Sequence, residues 1–122
     1  MTSFDAAVLA AKALDSKKGR EISVLRTLEV TELCDYFVIA TGGSNTQVKA
    51  LADEAQYQLE NAGYEMKHRE GYDGGGWILL DFNTVIIHVF LPKERDFYDL
   101  DKLWSRAEPV EIDFDETEEK SN

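Results

Sequence analysis

The stretch from residue 36 to residue 62 limits most strongly what this chain can fold into. Tyr36-Phe37-Val38-Ile39-Ala40-Thr41 is an apolar run rich in aromatic and β-branched residues, and it breaks at Gly42-Gly43. Ser44 then opens about four turns of helical periodicity. Val48, Leu51, Ala52, Ala55, Leu59 and Ala62 fall on one face of that helix, and Lys49, Asp53, Gln56 and Glu60 on the other. Strand, tight glycine turn and amphipathic helix form one unit. The helix covers the strand and leaves backbone N–H groups at its own start.

The remaining segments read as packing around this unit. Residues 2 to 18 predict a helix with Phe4, Ala7, Val8, Ala11 and Leu14 on one face, capped by Thr2 or Ser3 and stopped by Gly19. Alternation predicts strands over 21–30 and 64–69, the latter with Tyr64, Met66 and His68 on one side and Glu65, Lys67 and Arg69 on the other. The glycine-rich loop 70–76 must be mobile or unusually bent. Residues 77–81 and 84–91 form a hairpin through Phe82-Asn83, where Asn83 can adopt the left-handed conformation. Pro92 ends that strand, and two short helices follow over 94–98 and 99–106, the second packing Leu100, Leu103, Trp104 and Ala107 on one side. The expected architecture is α/β, a mixed sheet of about five strands covered by helices.

The chain has 122 residues, a single-domain length, and its composition is that of a folded globular protein. We assign residues 1–109 to one domain and 110–122 to a flexible acidic tail. Net charge is −11, and residues 108–122 carry seven acids against Lys120. That balance disfavours naked nucleic acid, whose affinity comes from neutralised phosphates, and suits a basic protein partner; it also serves solubility alone. No apolar stretch approaches the roughly 20 residues of a membrane helix. The N-terminus has no export pattern, and Cys34, the single cysteine, fits a reduced, cytoplasmic setting.

No catalytic constellation stands out. Thr41-Gly42-Gly43-Ser44 could offer amides to a phosphate at the helix start, but it matches neither standard phosphate-loop pattern. It is similar to the short turn of nucleotidyltransferases, which makes a metal-dependent enzyme using Gly42-Gly43-Ser44 the alternative reading. Such an enzyme needs paired carboxylates on the next strand, and Glu65 and Asp81 occur singly. His88 reads as a core or sheet-surface histidine, His68 as a strand residue, and Cys34 and Ser44 lack an activating base. Neither a cofactor nor a metal is expected. The aromatic and charged residues around the hairpin are instead those of a protein interface: Trp77 and Asp81 on one strand face, with Arg69, Glu70 and Tyr72 in the preceding segment. Trp77 reads equally well as core.

These stretches together resemble the ribosomal silencing factor family, also called Iojap. The match is carried by Asp35 to Gly42, Ser44 with Gln47-Val48, Ala52-Asp53, Glu70-Gly71, Trp77 to Asp81, Val85 to Phe90, Arg95 to Tyr98 and Leu103-Trp104. It spans residues 4 to 110 and departs at Asn83, where family members usually carry Gly. The resemblance implies a small cytoplasmic protein with a nucleotidyltransferase-like fold but no such activity. It implies binding to the large ribosomal subunit through ribosomal protein uL14, a block on subunit joining, repression of translation when nutrients are short, and often a homodimer. Trp77, with Tyr98 in support, is then the expected anchor, and Asp81 and Glu70 the expected partners of basic groups.

Overall fold

The protein is described by a computed structural model covering residues 2 to 114. In chain order the elements are α1 (Ser3–Ser16), β1 (Arg20–Arg26), β2 (Tyr36–Thr41), α2 (Asn45–Asn61) and β3 (His68–Glu70). There follow β4 (Trp77–Asp81), β5 (Val85–Phe90), α3 (Pro92–Tyr98), α4 (Leu100–Leu103) and β6 (Glu108–Val110). The strands form one mixed sheet in the order β3-β4-β5-β2-β1-β6. Among the described residues only β2 and β5 run parallel, joined by the crossover through α2, and every other neighbouring pair is antiparallel.

The central unit forms as its residues require. All six residues of β2 are buried, because the strand lies mid-sheet with side chains packed on both faces. Ser44 caps α2 by accepting from the Gln47 N–H at 3.1 Å. The helix buries Val48, Leu51, Ala52, Ala55 and Leu59 together with Val38, Ala40, Ile78, Leu80, Val85, Ile87 and Val89 of the sheet. Each fully buried Val, Leu or Ile there contributes about 1.5–3 kcal/mol of transfer free energy. On α1 the buried face is Ala6, Ala7, Ala10, Ala11 and Leu14, rotated from the expected one, so Phe4 is largely exposed and meets Tyr36 edge-on. Small alanines let α1 approach the sheet closely.

Several boundaries differ from expectation. β1 ends at Arg26 rather than at residue 30, because the N–H groups of Thr27 and Leu28 both donate to the Asp35 carbonyl and close a loop. The strand expected over 64–69 shrinks to His68–Glu70. Gly63, at φ 99°, turns the chain, and Tyr64 and Met66 pack beside the helices before Lys67 N–H reaches the Asp81 carbonyl. A sixth strand, Glu108–Val110, pairs with β1, and Ile112 and Phe114 pack against the core. Order therefore continues past Pro109, where the fold was expected to end; the remainder of the expected tail, 115–122, lies outside the described residues. Asn83 does take the left-handed conformation, at φ 73°. The glycine-rich loop is bent: Gly71 has φ 79°, and a Cβ there would stand 2.1 Å from the Trp77 carbonyl oxygen.

Helices α3 and α4 cover part of the other sheet face, and one arginine fastens them. The Arg95 guanidinium donates to the Glu21 carbonyl (2.5 Å), the Thr41 hydroxyl (3.0 Å) and the Ser23 hydroxyl (3.2 Å). It also grips Asp101 with two bonds, at 3.1 and 3.2 Å. A bulge in β1, with Glu21 at φ 49°, accompanies that carbonyl's contact with Arg95. Replacing Arg95 by Met is expected to lower stability by about 2–4 kcal/mol in urea unfolding, because polar partners are left unpaired. An unchanged midpoint would mean that the aromatic contacts alone hold α3.

Candidate protein-binding face

Alternation places the odd residues of β4 and the even residues of β5 on the sheet face away from α1 and α2. The register pairs Trp77 with Phe90, Leu79 with His88 and Asp81 with Ile86. The same face carries Phe37 and Ile39 from β2 and Leu25 from β1, with Trp104, Leu100 and Ala107 packed over them. It is half-covered: α3 and α4 screen one side, and Trp77, Leu79, Asp81 and Ile86 retain partial exposure.

Aromatic rings tile this face. Trp77 lies 4.5 Å from Tyr98 and stacks on Phe90 at 5.0 Å between centroids. Phe37 meets Trp104 and His88 edge-on at 5.2 and 4.9 Å. Such offset and edge contacts each add about 0.5–1.5 kcal/mol beyond burial. Next to them, α3 and α4 present apolar groups to solvent: Phe97 is 80% exposed, Leu103 70% and Tyr98 45%. Leu103 was expected among the packed residues of the last helix, yet it projects outward because α4 is a single turn whose inner side is filled by Leu100. Phe97 was not singled out from the sequence, since two adjacent aromatics, Phe97 and Tyr98, at the end of a seven-residue helix give no periodicity to assign either a side.

The acids occupy the far end of the face. Glu70 pairs across from Leu79 and His68 across from Asp81, so all four project the same way. His68 stands between the carboxylates, with Nε2 2.8 Å from Glu70 and Nδ1 3.6 Å from Asp81. Arg69 and Tyr72 are not part of this cluster. Arg69 pairs with Leu80, on the α2 side of the sheet. Its guanidinium lies 3.9 Å over the Tyr72 ring and bonds Gln56 at 3.1 Å, while the Tyr72 hydroxyl donates to Asp53 at 2.8 Å. That hydrogen bond holds the Tyr72 phenol above its usual pKa. The structure thus brings Trp77 and Tyr98 into contact, places Asp81 and Glu70 on the same face at its other end, and sets Arg69 and Tyr72 on the opposite side.

Two amides of the glycine turn are already engaged within the chain. Gly42 N–H donates to the Phe90 carbonyl at 2.9 Å, and Gly43 N–H donates to Gln47 Oε1 at 2.6 Å. A Cβ on Gly43 would stand 2.9 Å from the Arg20 guanidinium, so the space above the turn is filled by this chain. Among the described residues, no group of three or more His, Cys, Asp or Glu is placed to hold a metal ion. Burial pushes the Cys34 thiol pKa upward, against the help a nucleophile requires.

The whole chain, residues 1–122, matches the profile of the family described as ribosomal silencing factor during starvation. The chain belongs to the ribosomal silencing factor family. It is 44% identical to the ribosomal silencing factor of Chromobacterium violaceum over 83% of each chain. It is 39% identical to that of Bacillus subtilis, over 87% of this chain and 90% of the relative. A crystal structure of a Chromobacterium violaceum protein superposes with a TM-score of 0.84 at 42% identity, covering 86% of this chain and 88% of that one. The fold and the general role in ribosome silencing are therefore those of this family. No helix among the described residues is long and apolar enough to cross a membrane.

One group on this face titrates abnormally. His88 is 4% exposed, and burial lowers its pKa from 6.5 to about 4. Unfolded, it takes up a proton near 6.5, whereas in the fold it stays neutral down to about 4. Stability from this residue is thus complete above about pH 6.5 and declines as pH falls toward 4. Between pH 7 and 4.5 the wild type is expected to lose roughly 2–3 kcal/mol more than His88→Phe in urea unfolding. Equal pH slopes for the two proteins would contradict that assignment.

Proposed function

We propose that the chain silences translation by binding the large ribosomal subunit in the cytoplasm through ribosomal protein uL14. It occupies the surface that would meet the small subunit, blocks joining sterically, and so represses translation under nutrient limitation. The action is obstruction, with no turnover. Membership of the ribosomal silencing factor family supports this reading. The observation that carries the choice of surface is the half-covered aromatic layer of Trp77 and Tyr98, continuous with exposed Phe97 and Leu103. Aromatic anchors surrounded by polar groups are the usual energetic centre of a protein interface. Glu70 and Asp81 add negative charge that complements a basic ribosomal protein. A contact of about 1,600 Å² in total would be enough for a stable complex. Arg69 and Tyr72, on the other side of β3, serve at most the rim. The proposal includes a homodimer of the free protein, which sedimentation equilibrium tests.

Co-sedimentation with purified large subunits is the direct experiment. Trp77→Ala is expected to weaken binding by at least about 30-fold, the effect of losing an interface anchor. Because Trp77 also packs within its layer and Asp81 accepts the Asn83 N–H at the hairpin turn, the charge reversal Glu70→Lys, at an exposed carboxylate, provides the test independent of packing. It should reduce affinity about tenfold and flatten the dependence on salt. Subunits that reassociate at normal speed in excess wild-type protein would refute the proposal.

A further inference from the structure

The aromatic layer contains one residue whose chemistry does not suit its surroundings. His88 is buried among Trp77, Phe37 and Phe90, where a phenylalanine would fill similar space without polar atoms. Its Nδ1 accepts the Trp77 indole N–H at 3.1 Å, and its Nε2 is buried with no hydrogen-bond partner among the described residues. A neutral imidazole that accepts at Nδ1 carries its proton on Nε2. The residue therefore leaves one donor unsatisfied in order to supply one acceptor. That acceptor serves only the indole.

We infer that His88 is a positioning residue of the candidate binding face: it fixes the Trp77 indole with its polar edge turned into the protein. The consequence for recognition is chemical. Nε1–H is the only polar group of the indole, so what Trp77 offers outward is hydrocarbon. The partner's matching site is an apolar slot with no acceptor aimed at the indole, and basic groups belong at its margin, toward Glu70 and Asp81. The neighbouring rings of Phe90 and Tyr98 restrict the indole's tilt, but only the bond to His88 distinguishes one edge from the other. The inference rests on the Trp77 face being the ribosome-binding surface.

The test uses the full chain, with His88→Phe to remove the acceptor and His88→Asn to keep an acceptor near the Nδ1 position. The chain has two tryptophans, Trp77 and Trp104, so nitrogen NMR of the indole N–H groups reports on each once Trp104→Phe has assigned them. In the wild type, His88 should be the Nε2–H tautomer and the Trp77 N–H should exchange slowly. In His88→Phe the exchange should accelerate at least about tenfold and binding to purified large subunits should fall about tenfold, with both restored to within about threefold by His88→Asn. A proton on Nδ1 in the wild type overturns the inference without any variant. So does a folded His88→Phe that binds like wild type, or a folded His88→Asn that binds no better than His88→Phe. If the wild type itself fails to bind large subunits, the functional reading fails, while tautomer and exchange still decide whether His88 holds the indole.

Discussion

The Arg95 guanidinium fastens α3 and α4 to the sheet. Arg95 reaches from α3 to the β1 bulge, to hydroxyls on β1 and β2, and to Asp101 at the start of α4. The helices it fastens are too short to be stable alone and bury little; α3 has no fully buried residue. Their position is therefore set by directional bonds to the sheet more than by apolar contact. Tyr98 is three residues beyond Arg95, so the ring that lies over Trp77 is placed by the same anchor. Loss of the arginine would loosen the aromatic layer without touching it.

The sheet's two faces are built on different terms. The face under α1 and α2 is closed, apolar and alanine-rich, and its packing explains why the fold exists. The opposite face mixes rings with Ser23, Thr41 and His88, each of which makes at least one polar bond that fixes a neighbour. That arrangement buries less surface and gives more geometric definition, as a surface shaped for contact requires. It also separates residues that are close in sequence: Glu70 joins this face, while Arg69 engages α2 through Gln56 and Asp53.

How far the sequence could be read follows from the range of the interactions involved. The β2–turn–α2 unit and the β4–β5 hairpin were legible because their periodicities and turn residues are local. β6 was not, since Glu108-Pro109-Val110 has no strand pattern and forms only because β1, distant in sequence, offers an open edge. The length of β1 was overread because Leu28 and Val30 continue its alternation, although hydrogen bonds to Asp35 turn the chain aside. The shared strand face of Trp77 and Asp81 followed from alternation along β4, whereas the contact of Trp77 with Tyr98 joins segments that no local pattern links. That Arg69 and Tyr72 lie on the α2 side could not be read, because strand parity cannot be carried through a loop that turns at Gly71 and Gly75. The bond from Trp77 to His88 spans two strands on a diagonal and left no mark in either segment.

The two rims of the sheet have a consequence for behaviour at high concentration. One border is β3 and the other β6, each three residues long, and the second contains Pro109, which lacks an amide hydrogen. Neither offers the extended row of free donors and acceptors on which further strands could accrete. Among the described residues, growth of the sheet by strand addition is therefore disfavoured at both rims, and the exposed apolar groups lie on a face that such growth does not use.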